Sequence, residues 1–496
     1  MPDAALRPSL LQAFASRRVG IMLLLGFASG LPLALSAGSL QAWLTVSGVD
    51  IKTIGLFALV GLPYTFKFVW APLLDRFEPP RAGRRRGWLA LTQLALAGAC
   101  LLMAQLDPAS DIETIGAVAV AIAFLSASQD VVFDAYRADL LTERERGAGA
   151  AVSVLGYRLA MLVSGGLALI LADQWLGWPA TYRLMGALIG AFAIVSLLAP
   201  RLPVPAGVRE AAQAGPGADA TLPAARTPAW RELAGFAAML AAGLATWAAL
   251  RALPWGALEA DRFGRLLVLT CSLLAAFAVA IRVARAAGFA AFVEPWDHFF
   301  SRRGAVALLA LIVLYKLGDA FAGSLSTAFL IRGAGFSQTE VGAVNKVFGL
   351  IATLVGALAG GAWLGRVSLY RALLVFGLLQ AVSNLGYWVL AVLPPQAGLM
   401  AAAVGFENLC GGMGTAAFVA FLMALTDTRY SAAQFALLSA LAAIGRVYVG
   451  PAAGVMVEAW GWPTFFLFST AAALPGLLLL AWLRPTIESL QTEKSS

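Results

Sequence analysis

A small set of ionisable side chains lies inside long apolar stretches of this chain. An ionisable group at the depth of a bilayer costs roughly 2.5 to 3.5 kcal/mol on insertion scales, so each one needs a partner or a water-filled cavity. The carboxylates of the set are Asp130, Asp134, Asp319 and Glu407, and the cations are Lys67, Arg158, Lys316, Lys346 and Arg446. Because the chain has a single histidine, His298, we expect any proton transfer within these stretches to use the carboxylates.

Two interpretations of this set are open. In the first, the charges form structural pairs that hold helices together, such as Lys316 with Asp319 or Asp134 with Arg158. In the second, they line a central path, where five cations against four carboxylates favour a substrate that carries carboxylates. Most of the set lies on or beside the first and fourth helices of three-helix units, the cavity-lining helices of the architecture inferred below, which favours the second interpretation.

The elements that position these groups are membrane-spanning helices. Of the 496 residues, 60% are hydrophobic and 12% charged, and the mean hydropathy is +0.81. A soluble globular chain carries about a quarter charged residues, so that class is excluded. Apolar windows predict fourteen helices, from Val19–Val46 to Thr464–Leu483.

Several kinds of chemistry are not expected from the residues present. Each cysteine lies in an apolar run without an evident partner, so we predict no disulfide framework. The single histidine argues against multi-histidine metal sites. The sequence contains no phosphate-binding loop for ATP and no catalytic constellation. We therefore predict neither an enzyme nor a cofactor.

The basic residues are distributed unevenly between alternate loops. Arginines concentrate in one set of loops, as between Arg76 and Arg86, whereas acids such as Asp107, Asp173 and Glu458 lie in the intervening ones. By the positive-inside rule, both termini are expected to be cytoplasmic. The net charge of +8 is then a topology signal and does not indicate a nucleic-acid partner, with anionic lipid headgroups as a secondary partner.

An internal repeat relates the two ends of the sequence. Glycines and a Gly-Trp-Pro triplet recur about half a chain apart: Gly48 and Gly55 as Gly335 and Gly342, and Gly166 with Gly177-Trp178-Pro179 as Gly450 with Gly461-Trp462-Pro463. Both copies have the same charge sidedness, so they are predicted to be parallel repeats. The expected fold is all-α and integral to the membrane, with six-helix bundles in residues 1–200 and 304–496, and a linker and two-helix insert in residues 201–303. This is the architecture of major facilitator transporters.

One loop segment resembles part of the facilitator loop motif, in which an aspartate and an arginine latch the cytoplasmic gate. It comprises residues 71–76 and continues to Arg84-Arg85-Arg86, with the Gly-Arg-Arg ending displaced. The resemblance implies gating roles for Asp75 and Arg76.

Three further segments resemble the AmpG-type muropeptide permeases, densely in the first half of the chain and more loosely in the second. They read GFASGLP at residues 26–32, YTFKFVWAPLLDR at residues 64–76 and SASQDVVFDA at residues 126–135. The resemblance implies proton-driven import of anhydro-muropeptides through the bacterial inner membrane, for cell-wall recycling and beta-lactamase induction. Its partners would be the substrate, protons and the lipid bilayer.

The resemblance also implies roles for the polar residues within the spans. A disaccharide needs amide partners and its carboxylates need cations, for which the candidates are Gln41, Gln129, Arg158, Lys316, Asn345, Lys346, Asn384 and Asn408. Proton coupling is expected at Asp130, Asp134, Asp319 or Glu407, with the first two favoured because they lie in the SASQDVVFDA segment. Alternatives are a related carrier for acetyl-CoA, a siderophore or a drug, and a membrane receptor for wall fragments.

Overall fold

The computed structural model describes most of the chain as helices. The described residues are 16–67, 70–71, 74, 79, 83–141, 145–201, 229–256, 262–288, 297, 299–301, 304–364, 366–426 and 431–495. They group into two compact units. The first comprises Met1–Pro203, Leu311–Leu425 and Leu438–Ser496, and the second Val204–Ala310 and Thr426–Leu437.

The N half of the first unit contains nine α-helical segments. They are α1 Arg17–Leu35, α2 Gly38–Val46, α3 Ile51–Leu56, α4 Leu62–Phe66, α5 Arg84–Met103, α6 Ile112–Leu140, α7 Arg146–Met161, α8 Ala168–Leu171 and α9 Gly177–Leu198. A 3₁₀ turn, Phe57–Gly61, joins α3 to α4, and π-helical turns flank α8 at Leu162–Leu167 and Ala172–Leu176. Short 3₁₀ and π turns inside longer helices mark places where the helix changes register.

The later helices comprise the insert and the C half. The insert helices α10 Ala229–Arg251 and α11 Arg262–Ala286 pack on each other. The C half comprises α12 Ala305–Tyr315, α13 Leu317–Ser324, α14 Ser326–Ala328, α15 Gln338–Glu340, α16 Gly349–Leu364, α17 Leu369–Val392, α18 Ala397–Leu425, α19 Ser431–Ala471, α20 Leu474–Trp482 and α21 Arg484–Ser495. Its π-helical turns are Phe329–Gly333 and Val341–Phe348.

Ten helices in the described part of the chain are long and apolar enough to cross a membrane. Two of these runs, of 50 and 45 residues, contain Gly177 and Gly461, whose φ angles are 68° and 75°. These positive values favour glycine, which explains the first residue of the repeated Gly-Trp-Pro triplet. The all-α membrane fold is confirmed, and the count of fourteen spans stays a prediction, as do the domain boundaries.

The tryptophan of each triplet belongs to a buried aromatic cluster in its own half. In the N half, Trp178 lies 6.3 Å from Trp43 and 6.2 Å from Tyr182, measured between ring centroids. In the C half, Trp462 lies 5.1 Å from Phe329 and 6.1 Å from Phe466. Aromatic pairs at these separations add stability beyond their buried area. The repeat therefore preserves a packing unit as well as a turn.

Candidate functional site

A cavity of about 560 Å³ lies between the N half and the C half of the first unit. The N half contributes lining residues from α1 to α4, among them Ser36, Gly38, Gln41, Phe57 and Tyr64. The C half contributes Asp319, Ser324, Thr327, Lys346, Thr353, Glu407, Asn408 and Arg446. Cavities of roughly 300 to 1,000 Å³ are typical of small-molecule sites.

The charge of the cavity wall is divided between the halves. Among the lining residues, all the aspartate, glutamate, lysine and arginine side chains belong to the C half: Asp319, Lys346, Glu407 and Arg446. The N-half lining is neutral, with one amide, a serine, small and aliphatic residues, and the rings of Phe57 and Tyr64. We call these two surfaces the charged wall and the neutral wall.

Lys346 reaches the cavity from the π-helical turn Val341–Phe348. Its ammonium donates a hydrogen bond to Thr327 Oγ1 at 3.0 Å. A methyl group added at Gly38, in the N half, would lie 3.0 Å from Lys346 Nζ. The absence of a side chain at Gly38 therefore leaves room for the ammonium at the boundary between the halves.

Asp319 and Glu407 have polar partners within the C half. The Asp319 carboxylate lies 3.6 Å from Lys316 Nζ, and Lys316 also donates to Gln380 Oε1 at 2.9 Å. Glu407 accepts a hydrogen bond from Asn408 Nδ2 at 2.9 Å, and Thr353 Oγ1 donates to Asn408 Oδ1 at the same distance. Lys316 and Asp319 thus form the structural pair that the first interpretation names.

The ionisable candidates of the N half lie away from the cavity lining. Asp130 accepts a hydrogen bond from Ser29 Oγ, and Lys67 is one of its charged neighbours. Asp134 forms an ion pair with Arg137 at 2.9 Å within α6 and is half exposed. In the described part of the chain Asp134 does not pair with Arg158, so that example of a structural pair is wrong.

The cavity includes five of the predicted site residues and leaves seven outside its lining. Those that line it are Gln41, Asp319, Lys346, Glu407 and Asn408. Those outside the lining are Gln129, Asp130, Asp134, Arg158, Lys316, Asn345 and Asn384. Gln129 and Asn384 are fully buried, and their amide atoms have no hydrogen-bond partner among the described residues. The predicted gating residues Asp75 and Arg76 lie outside the described residues.

Two aromatic residues of the cavity were not assigned to the site from the sequence. Phe57 and Tyr64 both face the cavity from the neutral wall. They are seven residues apart, which is about two turns of a helix and places both on one face. This spacing was the available signal. Arg446 is one of the five cations of the predicted central path, without an assigned role in binding, and it also lines the cavity.

Polar contacts join the two halves at one end of the bundle, which we call the gate end. The Asp173 carboxylate accepts hydrogen bonds from the backbone nitrogen of Thr339 at 3.0 Å and from its hydroxyl at 2.6 Å. Trp178 Nε1 donates to Gln338 Oε1 at 3.0 Å. A carboxylate at the first turn of a helix is favoured because the helix leaves unpaired N–H groups there. Asp173 thus ties the N half to the start of α15.

The internal repeat provides a counterpart to this contact. Lys52 and Glu458 form an ion pair at 2.6 Å, again between the halves. Lys52 follows Gly48 by the same interval as Thr339 follows Gly335, and Glu458 precedes Gly461 as Gln174 precedes Gly177. Gln174 itself donates to Thr339 Oγ1 at 2.9 Å. Equivalent positions of the two repeats therefore meet on both sides of the gate end.

The repeated glycines allow the helices of the gate end to approach closely. A Cβ added at Gly342 would lie 2.8 Å from the carbonyl oxygen of Gly166, and one added at Gly450 would lie 2.7 Å from that of Gly55. Real Cβ atoms essentially never show contacts this short. These four are half of the eight glycines that recur in the sequence, so part of the repeat marks the surfaces through which the halves meet.

Arg332 adds a third contact at the gate end. Its guanidinium donates hydrogen bonds to the carbonyl oxygens of Thr45 and of Val49, the latter at 2.8 Å. The Thr45 carbonyl lies in the last turn of α2, where a cation is favoured, and Val49 follows the helix by three residues. Gln41 Nε2 donates to Ser324 O at 2.8 Å nearby. The gate end is therefore closed by backbone contacts and by side-chain hydrogen bonds together.

Substituting Gly342→Val is expected to open the gate end. The added side chain would meet the Gly166 carbonyl, and overpacking of this kind costs about 1 to 3 kcal/mol, or roughly a tenfold loss of the closed state. The measurement is disulfide cross-linking between cysteines placed by Lys52→Cys and Glu458→Cys. We expect the yield to fall to about a tenth, whereas Gly361→Val, which has open space around it, leaves it unchanged. An undiminished yield in Gly342→Val would show that the glycine contact does not hold the gate.

Comparison with known proteins decides the family. The sequence profile of the Major Facilitator Superfamily matches residues 22–314. The anhydromuropeptide permease of Escherichia coli (strain K12) is 50% identical over 482 residues, which cover 96% of this chain and 82% of that protein. The chain belongs to the AmpG family of major facilitator transporters. It is a membrane transporter and not an enzyme.

One further relative and two solved structures are also similar to this chain. An uncharacterized protein of Haemophilus influenzae is 31% identical over 487 residues, 96% of this chain and 97% of that protein. The POT family transporter PepTSo has a TM-score of 0.63 at 11% identity, over 95% of this chain and 98% of its own. A bacterial homologue of the human lysosomal transporter Spinster has a TM-score of 0.62 at 13% identity, over 98% of each chain. These two structures show that the fold is shared.

Proposed function

We propose that this chain imports anhydro-muropeptides from the periplasm to the cytoplasm across the bacterial inner membrane. The substrate would be GlcNAc-1,6-anhydroMurNAc with or without its stem peptide, and a proton would enter with it. The name and 50% identity of the Escherichia coli relative support the substrate class. The transporter would serve peptidoglycan recycling and, where the regulatory circuit exists, beta-lactamase induction.

The main structural support for the proposal is the cavity lining, which combines neutral polar groups with cations. Amides and hydroxyls such as Gln41, Thr327 and Asn408 suit the hydroxyl and acetamido groups of a disaccharide. Lys346 and Arg446 suit its carboxylates. Gln41, Lys346 and Asn408 are therefore the predicted binding residues that the geometry supports best. Gln129, Arg158, Lys316, Asn345 and Asn384 stay predictions that lie outside the lining in this conformation.

Alternating access would use the gate end. The positive-inside rule gives both termini a cytoplasmic location, and the gate end, at the opposite ends of the first helices, is then periplasmic. The structure would thus correspond to a state closed toward the periplasm. Opening requires the contacts of Asp173, Arg332 and the Lys52–Glu458 pair to break, while the halves close at the other end.

Proton coupling would depend on carboxylates that line the cavity or act electrostatically on a residue that lines it. Asp319 and Glu407 line it directly. Asp130 does not, but its charge acts on Tyr64, which does. Asp134 is half exposed and paired with Arg137, so its position supports a coupling role less well. We put forward Asp130, Asp319 and Glu407 for the proton.

Uptake by proteoliposomes tests the substrate. Purified protein in liposomes should accumulate labelled GlcNAc-anhydroMurNAc, and the unlabelled disaccharide should compete with it. Acetyl-CoA, a siderophore or a drug competing at lower concentration would indicate a related carrier with another substrate. Saturable binding without accumulation would indicate a receptor, and absence of both would contradict the proposal.

A further inference from the structure

The two walls of the cavity differ in the chemistry that they offer to a ligand. Both cations and both carboxylates of the lining lie on the charged wall, and the neutral wall has no ionised group among its lining residues. The proposed substrate is divided in a similar way. Its sugar rings are uncharged, whereas its lactyl group, or the stem peptide attached there, carries carboxylates. A ligand with one charged end and one neutral end therefore has a preferred orientation between a charged wall and a neutral wall.

We propose that the cavity holds the carboxylate-bearing end of its substrate against Lys346 and Arg446 of the C half and the saccharide rings against Phe57 and Tyr64 of the N half. This orientation rests on the proposed function and specifies which residues recognise which part of the substrate.

The cations of the charged wall are available to a ligand. Lys346 donates one hydrogen bond, to Thr327 Oγ1, and forms no ion pair with a described residue. Arg446 is exposed and forms no ion pair within the described part of the chain. Asp319 already forms an ion pair with Lys316 at 3.6 Å. Because Lys316 does not line the cavity, it partly neutralises Asp319 without occupying the ligand space. A substrate carboxylate can therefore pair with Lys346 and Arg446 without displacing an existing ion pair.

Glu407 is the remaining charge that a substrate carboxylate would meet. It accepts a hydrogen bond from Asn408 Nδ2 and has Lys316 and Lys346 among its charged neighbours. Protonation of Glu407 would remove a negative charge beside Lys346 and strengthen the attraction of the wall for an anion. Binding of the acidic end and binding of a proton would then support each other on the same wall.

The neutral wall suits flat, uncharged rings. Phe57 lies in the 3₁₀ turn and Tyr64 in α4, seven residues later. The lining between them includes Ala58, with only a methyl group, and Gly61, with no side chain, so the surface between the rings is open. Gln41 lies on the same wall and keeps its amide oxygen as an acceptor, because its amide nitrogen donates to Ser324 O. The reverse orientation would place a carboxylate against aromatic faces, which are the negative side of the ring quadrupole, with no cation to pair it.

The test compares two probes, GlcNAc-anhydroMurNAc and its neutral primary amide at the lactyl carboxylate. In proteoliposomes containing the wild-type protein, the acid should have a KM at least tenfold lower than the amide. Lys346→Gln and Arg446→Gln should each raise the KM of the acid at least tenfold and change that of the amide less than twofold. Phe57→Leu should raise both KM values by the same factor. Retained uptake of the amide shows that each variant is folded.

The following results would contradict the proposed orientation, and each identifies the part of it that is wrong. A Lys346→Gln variant that raises both KM values equally, or neither, would show that Lys346 does not recognise the carboxylate. A Phe57→Leu variant that affects only the acid would place the acidic end on the neutral wall. If the wild-type protein imports neither probe, the proposed function fails first, and the orientation fails with it.

Discussion

Replacing Asp130 by asparagine is expected to abolish accumulation of substrate while preserving its exchange. Asparagine keeps the oxygen that accepts the hydrogen bond from Ser29 but cannot lose or gain a proton. For one proton per substrate, each pH unit across the membrane is worth about 1.4 kcal/mol, or roughly tenfold accumulation. With an imposed gradient of two pH units, the ratio of internal to external substrate should fall from about one hundredfold to about one.

The same experiment includes a matched control and a second readout. Asp134→Asn changes a carboxylate on the same helix that is half exposed and paired with Arg137, and we expect it to retain most of the accumulation. Counterflow, in which internal unlabelled substrate exchanges for labelled substrate, should persist in Asp130→Asn because no net proton movement is needed. Full accumulation by Asp130→Asn would show that Asp130 has a structural role only.

Replacing Gly356 by alanine is expected to destabilise the C half severely. Gly356 is buried on α16, and an added Cβ would lie 2.1 Å from the carbonyl oxygen of Leu409 on α18. The contact is with backbone, so no side-chain rotation can relieve it and the helices must separate. We expect a loss at or above about 3 kcal/mol, the upper end of overpacking costs. Thermal denaturation of the purified protein in detergent would measure it as a large decrease in Tm or a loss of monodisperse protein.

Gly361 provides the control for this substitution. It lies on the same helix, and an added Cβ there has nothing within 4 Å. Gly361→Ala should leave Tm unchanged or raise it slightly, because alanine favours helix more than glycine does. Equal effects of the two substitutions would mean that helix propensity, not the contact between α16 and α18, controls stability at these positions.

The sequence predicted the membrane fold and the internal repeat, and the structure shows which repeated glycines form contact surfaces. The recurring glycines are explained by two physical needs. Gly48, Gly335, Gly177 and Gly461 adopt positive φ angles, whereas Gly55, Gly342, Gly166 and Gly450 allow backbones to meet. A repeated glycine identifies such a position from sequence alone. It does not distinguish a turn from a contact, because that difference depends on the partner helix.

The site was less predictable because the facing of a side chain depends on local helix geometry. Asn345 and Lys346 are neighbours in sequence, yet only Lys346 lines the cavity, from a π-helical turn that changes the register of the helix. Asp130 and Asp134 share a face at four-residue spacing, but Asp134 lies about 6 Å further along the axis and is half exposed. An apolar helix with several packed faces gives no periodicity from which such differences could be inferred.

The proposed transport reaction is the import of anhydro-muropeptides together with protons. The most direct measurement is uptake of labelled GlcNAc-anhydroMurNAc by proteoliposomes under an imposed pH gradient, acidic outside, with and without an ionophore that collapses it. We expect accumulation above the external concentration with the gradient and equilibration to a ratio of about one without it. Accumulation that is unchanged when the gradient is collapsed would contradict proton coupling, and absence of uptake in both conditions would contradict the substrate.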